Sequence, residues 1–98
     1  MVDDKYIIGK LRENISQIKK YGVKRIALFG SYIRGEAHKG SDIDILVVFE
    51  KGKKTFDNYM DLKFFLEDLF GSKIDLVILE SVRPELQQEI LSTMKYVS

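Results

Sequence analysis

Phe29-Gly-Ser-Tyr-Ile-Arg-Gly-Glu-Ala-His-Lys-Gly-Ser-Asp-Ile-Asp-Ile-Leu-Val-Val48 is the stretch on which the fold turns. It reads as the end of one strand, a Gly30-Ser31 turn, a short helix over about 32–36, a loop through Gly40-Ser41, and a second strand over Ile43–Phe49. That second strand is nearly all aliphatic, as expected of a strand covered on both faces. Alternate strand residues point to the same side, so Asp42 and Asp44 project together while Ile43 and Ile45 project oppositely. Two adjacent like charges repel, and a divalent cation relieves the repulsion; clustered hard oxygens suit magnesium or manganese. Glycine lets a backbone approach a ligand closely, and amides at a helix start favour an anion such as phosphate, so Gly30 and Ser31 are candidate phosphate-binding residues.

Outward from this stretch, helical and strand patterns alternate. Residues from about Asp4 to Tyr21 predict one helix, with Ile7, Leu11, Ile15 and Ile18 in a single apolar stripe and Gly22 behind it. Residues 24–29 predict the first strand. Thr55 is an N-cap candidate for a helix through about Phe70, whose apolar face is Tyr59, Leu62, Leu66 and Leu69, and Gly71-Ser72 stops it. Ile74–Leu79 predicts a third strand. Pro84 fits the first turn of a last helix with Leu86, Ile90, Leu91 and Met94 facing inward. The order α-β-α-β-α-β-α predicts an α/β (α+β) fold in which helices pack on a small mixed sheet.

Asp75 interrupts the third apolar run near its start, as Asp42 and Asp44 stand at the start of theirs, whereas Gly30-Ser31 ends its own strand. With the second and third strands parallel and the first antiparallel to them, all four features meet at one edge of the sheet. Three carboxylates facing a phosphate-binding turn suit two-metal phosphoryl or nucleotidyl transfer.

The bulk composition narrows the classes. Residues 1–98 are expected to form one domain. Cysteine is absent and histidine occurs once, at His38, which excludes thiolate and histidine-rich metal sites. The net charge of +1 shows no global basic excess, so direct nucleic-acid binding is not expected. No apolar run approaches the roughly 20 residues of a membrane span, and Met-Val-Asp-Asp-Lys lacks a signal-peptide pattern, so a cytoplasmic location is expected.

Gly-Ser, ten intervening residues, then Asp-x-Asp resembles the signature of the DNA polymerase beta-type nucleotidyltransferase superfamily. The fuller string Gly-Ser-x-x-Arg-Gly-Glu-Ala…Ser-Asp-Ile-Asp-Ile-Leu-Val resembles its minimal nucleotidyltransferase (MNT) subgroup, the MntA-like antitoxins of HEPN/MNT toxin–antitoxin pairs. The resemblance implies a nucleotidyltransferase fold. It also implies transfer of AMP from ATP to a tyrosine of a cognate HEPN-domain ribonuclease toxin, with which the chain would form a hetero-oligomer. In the same way it implies that Asp42, Asp44 and Asp75 bind two magnesium ions and that Gly30-Ser31 holds the β- and γ-phosphates. Two other readings remain: nucleotidyl transfer to a small-molecule or RNA hydroxyl, and a non-catalytic module that neutralises a toxin by binding alone.

Other residues carry weaker signals. Arg34, one turn past Ser31, can reach a triphosphate or pair with Glu36 or Glu13. Ser41 is expected to shape its loop. His38 is read as a loop histidine or a proton relay. Lys51, Lys53 and Lys54 form a basic run expected to be a solvated turn. Phe64 and Phe65 are adjacent and cannot both enter one narrow stripe, so part of this helix, or the last helix with Leu86, Leu91, Met94 and Tyr96, is a candidate interface.

Overall fold

Asn14 shows how local chemistry shapes the first helical region. Its side-chain amide donates to the Lys10 carbonyl at 2.9 Å and its own N–H bonds to Leu11 O, so the side chain competes with the helical ladder. The expected single helix is therefore two: α1 (Asp4–Glu13) and α2 (Ile15–Lys19). In the computed structural model, which describes residues 2–38 and 40–98, the other expected elements follow in the expected order, with a 3-10 turn and a fourth strand added. They are β1 (Val23–Phe29), α3 (Ser31–Arg34), β2 (Ile43–Phe49), α4 (Phe56–Phe70), β3 (Ile74–Ile78), a 3-10 turn (Leu79–Ser81), α5 (Pro84–Thr93) and β4 (Lys95–Tyr96).

The sheet order is β3-β2-β1-β4. β1 is antiparallel to β2, and β2 is parallel to β3, as the meeting of the four sequence features requires. The two-residue β4 adds an unexpected fourth strand: it pairs antiparallel with β1, Ala27 opposite Tyr96 and Leu28 opposite Lys95.

One face of the sheet carries the core. Ile26 and Leu28 of β1, Ile43, Ile45 and Val47 of β2, and Ile74 of β3 pack against Ile7, Leu11 and Ile18 of the first helices and Leu62 and Leu66 of α4. Each of these side chains is at most 1% exposed, and burying one such aliphatic side chain contributes roughly 1.5–3 kcal/mol. The helix α4 faces are as the apolar spacing dictates: Phe65 tilts against Tyr21 with ring centroids 5.8 Å apart, and Phe64 points to solvent.

α5 departs from expectation. Leu86 and Leu91 are 48% and 41% exposed, and only Ile90 and Met94 are partly covered, so this helix does not bury the stripe its spacing suggests. Among the described residues no helix is long and apolar enough to cross a membrane.

Thr55 caps α4 as its position implies: its side chain accepts from Asn58 N at 3.1 Å. Thr55→Ala is expected to lower stability by about 1 kcal/mol, and a denaturant melt reads the change. An unchanged midpoint would show that the bond contributes nothing.

Candidate active site

The phase of the β1–β2 ladder builds the centre of the site. Phe29 pairs with Asp44, so the chain turns at Gly30 directly against the Asp44 side chain. Gly30 adopts φ 77°, ψ −145°, a region essentially restricted to glycine. A Cβ there would stand 2.0 Å from Asp44 Oδ2 and 2.6 Å from its Cγ. The glycine is thus required by both conformation and space. The Ser31 backbone N–H then donates to Asp44 Oδ2 at 3.3 Å.

The parallel β2–β3 ladder brings in the third residue. Asp44 pairs with Asp75, and neighbouring strands lie about 4.8 Å apart, so the two side chains stand side by side on the face opposite the core. Asp44 is half-buried, Asp75 is exposed, and Asp42 is exposed one residue ahead of β2. Burial raises the Asp44 carboxyl above its ordinary pKa. The Ser31 N–H opposes this; the charge of Asp75, its hydrogen bond and the charge of Asp42 add to the rise. The three carboxylates predicted from sequence therefore feel one another at a single corner of the sheet.

Among the described residues no three carboxylate, histidine or cysteine side chains close into a ready-made metal cage. The donor set nonetheless fits a hard divalent cation. It consists of oxygens only, its members repel one another, and magnesium is held by one or two carboxylates together with waters and substrate phosphates rather than by an all-protein cage.

Arg34 stands on α3 beyond the turn, where its Nε pairs with Glu36 Oε1 at 2.6 Å; both side chains are more than half exposed. Ser41 shapes its loop, its Oγ accepting from His38 N at 2.9 Å and its N–H donating to His38 O. The basic run is solvated, with Lys54 3.5 Å from Glu80. It borders a groove of about 610 Å³ lined by Lys24, Val48 and Glu80, at the opposite end of β2 from Asp44. Tyr59, read from sequence only as part of an apolar face, also places its hydroxyl on the carbonyl of Leu76, the residue after Asp75.

A strand, a glycine-serine turn and carboxylates in register on the next two strands are the arrangement expected of a nucleotidyltransferase. The family profile of the nucleotidyltransferase domain matches residues 8–97, and the chain belongs to that family. Among its relatives is protein adenylyltransferase MntA of Thermococcus cleftensis, 39% identical over 79 residues, which covers 81% of this chain and 79% of that protein. A solved structure described as a candidate minimal nucleotidyltransferase superposes with a TM-score of 0.83 at 33% identity, covering 96% of this chain and 95% of the other. A toxin–antitoxin complex with AMP-PNP gives 0.71 at 29% identity, covering 89% and 72%. A complex of tri-AMPylated Shewanella oneidensis HEPN toxin with MNT antitoxin gives 0.66, covering 93% and 71%; at 24% identity that likeness is one of fold.

Proposed function

We propose that this chain is a magnesium-dependent protein adenylyltransferase that moves AMP from ATP to a tyrosine hydroxyl of a HEPN-type toxin, and so acts as its antitoxin in the cytoplasm. The observation that carries the reading is the registered pair of Asp44 and Asp75 beside the Gly30-Ser31 turn. The relatives support it through the activity in the name of the Thermococcus cleftensis protein and through the toxin–antitoxin complex that holds AMP-PNP.

Asp42, Asp44 and Asp75 would hold two magnesium ions, which would neutralise charge on the pyrophosphate and make the acceptor hydroxyl more acidic. The residues of the chain do the rest. The Gly30-Ser31 turn lets the β- and γ-phosphates approach the backbone, and the Arg34 guanidinium reaches their oxygens. The acceptor oxygen attacks the α-phosphorus, the bond to the pyrophosphate oxygen breaks, and the acceptor proton passes to the exposed Asp75 carboxylate. Asp42 and Asp75 are exposed, so an acceptor carried on a partner protein can reach the corner. Exposed Leu86, Leu91 and Tyr96 supply apolar surface for such a partner. That surface also favours a second reading, neutralisation by binding alone.

The test is co-purification with the protein of the neighbouring gene, followed by ATP labelled at the α-phosphate with magnesium. Label is expected on a tyrosine of the partner and is expected to vanish with chelator. Absence of label on an intact partner would sink the proposal.

A further inference from the structure

β3 is an edge strand, bonded to β2 on one side only. Ile43 N donates to Lys73 O at 3.1 Å, which sets the phase of the parallel ladder. Backbone groups of Asp75 and Val77 therefore aim at β2, and those of Ile74 and Leu76 aim at the free edge. Two side chains of α4 meet them there. Tyr59 Oη donates to Leu76 O at 2.6 Å, and Ile74 N donates to Glu67 Oε2 at 3.5 Å. The two bonds fall on the residues immediately before and after Asp75.

A clamp at this place has a physical reason. Asp44 and Asp75 repel each other across the β2–β3 ladder. β2 is held on both sides, whereas β3 has five residues and one neighbour, so repulsion acts to peel β3 away. Burial raises the pKa of the Tyr59 phenol, and the nearby Asp75 charge adds to the rise.

We infer that α4 clamps the free edge of β3, with Tyr59 and Glu67 as positioning residues that hold Asp75 in register with Asp44. The consequence for transfer rests on the function proposed above; the clamp itself does not.

The test has two arms. In amide exchange followed by NMR, Tyr59→Phe and Glu67→Ala are expected to speed exchange at Asp75 and Val77 about tenfold. The β1–β2 amides are expected to stay within about twofold, since they lie outside the clamped edge. Glu67→Gln keeps an acceptor oxygen and is expected to restore wild-type exchange. In labelled transfer assayed well below the melting temperature, Tyr59→Phe is expected to lower kcat about tenfold, with the KM for ATP within about twofold. Unchanged exchange at Asp75 and Val77, or equal acceleration throughout the sheet, overturns the clamp. A risen KM with unchanged kcat, or unchanged kcat despite faster β3 exchange, overturns the positioning role. A wild-type protein that transfers no label refutes the proposed function, and the exchange arm still decides the clamp.

Discussion

Asp44→Asn is expected to lose labelled transfer by about a thousandfold or more while melting at or above the temperature of the wild type. The two halves of this result have one cause. Asp44 is half-buried, with Asp75 beside it and Asp42 nearby, and its carboxyl is raised above the ordinary value near 3.8. For an acid with a raised folded pKa, the unfolded chain releases its proton first as pH rises. Folding therefore loses stability from the unfolded value up through the folded one, and the loss persists at neutral pH. An amide removes the charge, and its oxygen still accepts from Ser31 N–H. Stability is thus conserved or improved, while an anionic oxygen of the site disappears. Thermal melts across pH 3–8 check the sign: the difference between variant and wild type should be smallest at the acid end. A variant that unfolds readily at neutral pH, or one that transfers normally, would contradict this account. The same variant separates the two routes to neutralisation. If cells carrying it survive the toxin as well as wild type, binding suffices and chemistry is dispensable.

The parts of this site that could be read from the sequence are those written in residue type and period. Asp42 and Asp44 stand out because charge breaks an aliphatic strand, and Asp75 because it does so again. Their convergence required strand directions that no single strand reveals; the antiparallel β1–β2 and parallel β2–β3 ladders supply them. Ladder phase was invisible as well, and it is what turns the Leu76 carbonyl towards Tyr59. β4 could not be foreseen, because Lys95-Tyr96 is two exposed residues with no alternation and is held by backbone bonds such as Val97 N to Ile26 O. Asn14 broke a helix that the apolar stripe carried straight through, because the stripe records burial and not the competition of a side-chain amide. The last helix shows the converse: Leu86 and Leu91 fit an apolar pattern, but a pattern does not say whether the buried partner lies within the chain or outside it.

Gly30→Ala is expected to destabilise the fold by about 3 kcal/mol or more and to abolish transfer in whatever fraction remains folded. Two independent costs combine. The backbone at φ 77°, ψ −145° is strained for any L residue with a side chain, and the added methyl would lie within 2.0 Å of Asp44 Oδ2, 2.6 Å of Cγ and 2.8 Å of Cβ. The collision cannot be relieved by moving a flexible tip. Asp44 is paired through its backbone with Phe29, and its neighbours Ile43 and Ile45 tie the same strand to β3, so retreat means shifting β2 or opening the turn. Either movement separates the Asp44 carboxylate from the Ser31 N–H. A double-mutant cycle divides the cost. Asp44→Ala removes Cγ and both carboxylate oxygens but leaves Cβ and the backbone, so Gly30→Ala should cost less in that background by about 1 kcal/mol or more, and still not be neutral. Strict additivity of the two changes would show that the close packing of glycine on Asp44 contributes nothing, and would leave the positive φ as the whole reason that glycine stands at the centre of the site.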